Sequence, residues 1–184
     1  IVLVLMILPV ALPIMLIAIP AILFSMGRPV FFNQPRVGQG GQVFKMWKLR
    51  SMRNATPQDR VIATSINDNR ITPLGGFLRR FRVDELPQLW NVLKGDMSFI
   101  GPRPEQPALS ESYERVMPAF AYRHLVRPGI TGWAQVRAGY AADLEETRIK
   151  LSYDLFYIKN FSFWLDLQIL WRTVGALLNG GGVR

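Results

Sequence analysis

The chain has 184 residues, room for one domain with a substantial core and too few for two comfortable ones. Hydrophobic residues make up 49% and charged residues 19%, and a formal charge of +9 implies an anionic partner: nucleic acid, phospholipid headgroups or a phosphorylated substrate. With no cysteine, disulfides and thiolate zinc sites are excluded.

Residues 1–27 carry no charge, whereas Arg28 to Arg53 hold six basic residues before the first acid, Asp59. An uncharged apolar stretch followed by a basic run reads as a membrane element with cytoplasmic positive charge on its C-terminal side. A signal peptide would open on a charged n-region, and none is present. The chain starts at Ile1 without methionine, which points to a fragment of a longer protein. A straight helix over residues 1–27 would be about 40 Å long, against a hydrocarbon core of roughly 30 Å. Pro9, Pro13 and Pro20 interrupt it. A break at Pro13 would leave two arms of roughly 20 Å, neither able to cross alone, and the segment would enter and leave on one face. A kinked single-pass helix is equally compatible with these residues.

Beyond Gly27-Arg28-Pro29, short strands are expected at Val30–Phe32 and Val43–Leu49 around the Gly38-Gln39-Gly40-Gly41 turn. Residues 54–73 read as a polar loop, and helices are expected near 74–82 and 85–94, the second closed by Gly95. The prolines of residues 101–107 impose irregular backbone; 108–124 is helical in pattern, and Arg127–Trp133 is turn-rich. A charged helix is expected over 142–159 and an amphipathic one over 161–178. In the latter, Phe161, Phe163, Trp164, Leu167, Leu170 and Trp171 gather aromatic mass suited to a headgroup boundary. An ordinary core-facing helix is the alternative. The whole is an α+β fold, mainly helical, with an N-terminal membrane helix over 1–27 and a single folding unit over 28–184.

Five segments in order resemble the bacterial sugar transferase family, the monotopic phosphoglycosyl transferases. They are Gly27–Gly38 (GRPVFFNQPRVG), Phe44–Met52 (FKMWKLRSM), Val83–Pro104 (VDELPQLWNVLKGDMSFIGPRP), Arg127–Val136 (RPGITGWAQV) and Tyr153–Asp166 (YDLFYIKNFSFWLD). The resemblance implies a re-entrant membrane helix broken at Pro13, with Leu12 where many members carry serine. It implies transfer of a sugar 1-phosphate from a UDP-sugar to polyprenyl (undecaprenyl) phosphate at the cytoplasmic face of the bacterial inner membrane. UMP would be released, in a first membrane step of exopolysaccharide, O-antigen or glycoconjugate synthesis. Asp84 and Glu85 match the family's catalytic pair, with Asp84 forming a covalent phosphosugar intermediate and Mg²⁺ held by one or both carboxylates. A homo-oligomer is compatible with the chain.

The residues support this chemistry without dictating it. Asp84 also suits the N-cap of a helix starting near Glu85, and Glu85 suits that helix's positive end. A carboxylate attacking a diphosphate needs its charge offset by Mg²⁺, cationic side chains and free helix N–H groups. By motif position Lys48, Arg79, Arg103 and Arg127 are the expected phosphate contacts, with Gln135 as a polar ligand. Arg103 sits between Pro102 and Pro104, which stiffen its backbone for a two-pronged phosphate contact. His124, the only histidine, lacks a nucleophile elbow and reads as structural; Asp68-Asn69 is no adequate metal motif, and Gly38–Gly41 lacks the lysine of a P-loop. A membrane-tethered nucleic-acid binder would leave Asp84-Glu85 and the uncharged segment without use, so no nucleic-acid partner is expected. An inactive scaffold of the same fold would not need the intact pair.

Overall fold

The computed structural model describes residues 1–53, 70–138 and 143–178. Helices dominate, with an antiparallel hairpin and a short parallel strand pair among them. Helix α1 (Val2–Met26) is apolar, and long enough to cross a membrane. It runs through Pro9, Pro13 and Pro20 as one element, so Pro13 does not divide it into two helices. Each proline removes a single N–H, and in a uniformly apolar segment no polar group competes for the remaining backbone bonds. Its buried positions, Val4, Ala11, Ala18 and Ile22, form one stripe at spacings of seven, seven and four. Val4 and Ala11 join Met46, Leu89, Val92 and Met97 in one core cluster; Ala18 and Ile22 join Leu49 and Leu78 in a second. Other faces of the helix, with Val10, Leu16, Ile17 and Phe24, are exposed.

Strands β1 (Phe31–Val37) and β2 (Val43–Leu49) form the expected hairpin, with Phe31 opposite Leu49 and Val37 opposite Val43. Gly40 and Gly41 occupy the left-handed region at φ 65° and 76°, which only glycine adopts without strain. Helix α2 (Pro73–Arg80) starts at Thr72, whose hydroxyl accepts from the Gly75 amide at 3.0 Å. A 3₁₀ turn at Val83–Glu85 follows, then α3 (Gln88–Lys94), closed by Gly95 at φ 86°. The helix expected over 85–94 therefore starts later, and Asp84 is not its N-cap: Pro87 holds that position and no side chain caps it. Pro87 cannot donate to the carbonyl four residues back, so the chain entering α3 tightens into 3₁₀ bonds.

Strand β3 (Ser98–Ile100) pairs in parallel with β4 (Gly129–Thr131), inside the stretch expected to be turn alone. Glycine makes the approach possible. A Cβ on Gly129 would lie 2.2 Å from the Gly101 nitrogen, and one on Gly132 2.1 Å from the Gly101 oxygen. Between the strands, the helix expected over 108–124 divides at Pro118 into α4 (Pro107–Val116) and a 3₁₀ segment (Pro118–Leu125). Helices α5 (Trp133–Arg137), α6 (Leu144–Asn160) and α7 (Phe163–Leu178) complete the described residues. Helix α7 is apolar on two sides: Leu165 and Ile169 enter a core cluster with Ile100 and Tyr157, while Phe163, Trp164, Leu167 and Trp171 are exposed. Most of the polar stretch 54–73, Asp68 and Asn69 included, lies outside the described residues.

Two alanine substitutions should move stability in opposite directions. Gly129→Ala drives a methyl into backbone and should destabilise by about 3 kcal/mol. Gly76→Ala in α2 meets only Ile71 Cγ2 at 3.9 Å and should stabilise by roughly 0.5–1 kcal/mol. Thermal unfolding of both variants tests the assignment; a Gly129→Ala protein as stable as its parent would contradict the β3–β4 crossing.

Candidate active site

The centre of the site is Glu85, buried at the end of the 3₁₀ turn. Its Oε1 accepts from Lys48 Nζ at 3.0 Å and Arg103 Nη2 at 2.5 Å, and its Oε2 from Arg82 Nη1 at 3.2 Å. These cations arrive from β2, from the residue before the turn and from the segment after β3. Burial opposes ionisation of Glu85, yet Arg103, Lys48 and Arg82 together hold it well below the ordinary carboxylate range. Arg82 stands at φ 53°, a left-handed conformation unfavourable for a side-chain-bearing residue by roughly 1–2 kcal/mol. The turn is thus bent in a strained way just where the two carboxylates begin.

Asp84 beside it is 7% exposed and accepts no hydrogen bond among the described residues. Burial pushes its carboxyl up to about 6; Glu85 adds to the rise, while Lys48, Arg79 and Arg103 oppose it. Adjacent carboxyls with pKa values driven apart are a signature of divided roles. Here Glu85 neutralises the cations and Asp84 keeps its oxygens uncommitted. Arg79, in the last turn of α2, makes no hydrogen bond among the described residues and acts on Asp84 by its charge alone. Its helix is seated by Gly75, where a Cβ would lie 1.8 Å from the Ser51 carbonyl oxygen.

Arg103 is held by its backbone. Gly129 N donates to the Pro102 carbonyl at 2.9 Å, Arg123 Nη2 to that of Arg103 at 2.8 Å, Arg36 Nη1 to that of Pro104 at 3.0 Å and Val37 N to that of Glu105 at 2.9 Å. Four successive carbonyls thereby have donors from β1, β4 and the 3₁₀ segment. Of the residues expected from motif position, Lys48, Arg79 and Arg103 converge on the carboxylate pair; Arg127 and the neutral Gln135 make no contact with it. Arg127 lines an open cavity of about 370 Å³ with Gln39, Val126, Tyr157 and Phe161. Gln135 Nε2 donates to the Ile130 carbonyl at 3.1 Å, bracing the turn after β4. His124 contacts Ser110 and Glu114, in keeping with a structural role. Sequence reasoning missed Arg82, although its place three residues before Glu85 was a signal. It also missed Arg36 and Arg123, which carry none.

Among the described residues no three His, Cys, Asp or Glu side chains converge. Glu85 has both oxygens engaged by cations, whereas Asp84 has both free. This donor set fits Mg²⁺ held by one carboxylate and completed by phosphate oxygens and water.

The bacterial sugar transferase family matches over residues 1–180, and the chain belongs to it. It is 49% identical over 172 residues to the UDP-N-acetylgalactosamine-undecaprenyl-phosphate N-acetylgalactosaminephosphotransferase of Aeromonas hydrophila, covering 94% of this chain and 41% of that protein. It is 42% identical to the UDP-glucose:undecaprenyl-phosphate glucose-1-phosphate transferase of Caulobacter vibrioides, covering 90% and 63%. To the sugar transferase EpsL of Bacillus subtilis it is 39% identical, covering 93% and 81%. The chain thus spans less than half of the Aeromonas protein.

The raised pKa of Asp84 has a stability consequence. Its folded value lies above its unfolded one, so its contribution favours folding below about pH 4 and is lost as pH rises through about 6. At pH 7.5 the buried charge is therefore a liability, and Asp84→Asn should raise stability by on the order of 2 kcal/mol. The gain should vanish below about pH 4, where the parent carboxyl is protonated. Thermal midpoints of both proteins across pH 3.5–8 test this; a variant less stable than its parent at pH 7.5 would overturn it.

Proposed function

We propose that this chain transfers a sugar 1-phosphate from a UDP-sugar to undecaprenyl phosphate, releasing UMP, with Asp84 as the nucleophile. The observation that carries the reading is the contrast within the carboxylate pair: Glu85 saturated by three cations, Asp84 buried beside them with free oxygens. The relatives from Aeromonas and Caulobacter are named for this reaction type on N-acetylgalactosamine and glucose donors.

In the first step an Asp84 Oδ attacks the phosphorus that bears the sugar. The bond from that phosphorus to the bridging oxygen breaks, and UMP leaves with the electron pair. In the second step a phosphate oxygen of undecaprenyl phosphate attacks the same phosphorus and the Asp84 carboxylate departs. The first displacement, at the diphosphate, forms a carboxyl phosphate and the second consumes it, the pattern of ping-pong catalysis. Two anions must approach each other, so Arg79, Lys48 and Arg103 offset charge on the phosphoryl oxygens. Glu85 keeps Lys48 and Arg103 in register without using up Asp84. Asp84 would be the protein ligand of Mg²⁺, which when bound withdraws charge from the diphosphate.

The same reading has the site at the cytoplasmic face of the inner membrane, with α1 re-entrant as one continuous helix bent at its internal prolines. Helix α1 packs on α3 and on the Val83–Glu85 turn, and β2 supplies Met46 to the cluster at one end of α1 and Leu49 to that at the other. Val4 and Ile22 are about 27 Å apart along a straight helix, nearly the hydrocarbon thickness. A perpendicular span would draw Lys48, Glu85 and Arg103 into lipid, at a cost of several kcal/mol for each charge left unpaired. Cysteines placed at residues 2 and 28 should both label from the cytoplasmic side; labelling from opposite sides would defeat the re-entrant reading.

Asp84→Asn should fold and release no UMP from UDP-N-acetylgalactosamine or UDP-glucose. The parent, given donor and Mg²⁺ without acceptor, should gain the mass of one sugar phosphate on the peptide containing Asp84. Because the attacking group must be ionised, kcat/KM should fall about tenfold per pH unit below pH 6. Turnover retained in Asp84→Asn, or the label on another residue, would end the proposed mechanism.

A further inference from the structure

Arg123 and Asp154 form an ion pair in the interior, Nε to Oδ2 at 2.7 Å, with side chains 5% and 3% exposed. Such a pair is a poor source of stability, since desolvating both charges offsets most of their attraction. Burial raises the pKa of Asp154 even with Arg123 against it. The guanidinium is further fixed by the Phe120 ring, 4.6 Å from its carbon. Its Nη2 donates to the Arg103 carbonyl at 2.8 Å. Pro102 and Pro104 supply no N–H, so the loop carrying Arg103 has few amides of its own to anchor it and is held through its carbonyls. The chain of contacts runs from α6 through Asp154, Arg123 and the Arg103 backbone to Glu85.

We propose that Arg123, oriented by Asp154, is a positioning residue for Arg103: it pins the Arg103 carbonyl so that the guanidinium sits on Glu85 and faces the substrate phosphate. This rests on the phosphate-binding role proposed for Arg103. The pair is retained in the core for where it puts another side chain, and its value should appear in turnover rather than in stability.

The experiment is a cycle on the full chain in lipid nanodiscs, reading UMP release from UDP-N-acetylgalactosamine and UDP-glucose with undecaprenyl phosphate. Replacing both partners, Arg123→Met with Asp154→Leu, removes the donor without leaving a buried charge alone. Thermal unfolding should show this variant at least as stable as its parent. Its kcat/KM should fall tenfold or more. Arg103→Lys should fall by a similar factor, and adding the double replacement to it should lower activity less than threefold further, because both changes disturb one element. If the double replacement does not fold, Arg123→Lys preserves the charge opposite Asp154 while withdrawing the second nitrogen. It should then show the same loss and the same dependence on Arg103. A folded variant with undiminished turnover, or an undiminished additional loss in the Arg103→Lys background, would overturn the positioning role. A silent Arg103→Lys would instead remove the phosphate role of Arg103, and this inference with it.

Discussion

The carboxylate of Glu85 is the constraint on which the site depends. Lys48, Arg82 and Arg103 come from three separate parts of the chain, and mutual repulsion would hold them apart without a shared anion. Burial makes that anion unfavourable by itself and strongly favourable once the cations surround it, so each half requires the other. The outcome is a compact island of fixed charge against the apolar side of α1, with one neighbouring carboxylate left over. The proposed chemistry uses that remainder. In that proposal Asp84 is free to attack because its neighbour has satisfied the cations.

Rigidity around the island comes from backbone more than from side chains. The β3–β4 crossing brings Gly101 and Gly129 together so closely that no Cβ fits, and the Pro102–Glu105 carbonyls each receive a donor from elsewhere. A loop so held has few alternative conformations, and Arg103 therefore meets Glu85 without a large entropic penalty. The strained φ of Arg82 belongs to the same economy, since a site surrounded by fixed elements can hold one residue in an unfavourable conformation.

Much of this was legible in the residues. The hairpin showed in its glycine turn and flanking β-formers, and α6 and α7 in their helical patterns. Lys48, Arg79 and the Asp84–Glu85 pair came from motif order. What escaped was of two kinds. The three-residue strands β3 and β4 are too short for a period, and their signature is steric: Gly129 and Gly132 facing the backbone of Gly101, 28 and 31 positions away. Arg123 and Asp154 lie thirty-one positions apart among 22 lysines and arginines, and no local pattern separates a buried arginine from a solvated one. The N-cap reading of Asp84 failed for a local reason, because Pro87 delays the α-helix and leaves both carboxylates in a tighter turn.

The stripe of Val4, Ala11, Ala18 and Ile22 makes α1 part of the core as much as a membrane element. Deleting an apolar N-terminal helix is a common route to a soluble catalytic fragment. In this chain the deletion would uncover Met46, Leu49, Leu78 and Leu89 together, and strip the apolar backing from the Val83–Glu85 turn. The fragment would lose the wall its charged site leans on, while the exposed aromatics of α7 would still seek an apolar phase. Helix α1 and the charged site share one core, and a fragment that keeps the packing behind Glu85 has to keep the helix.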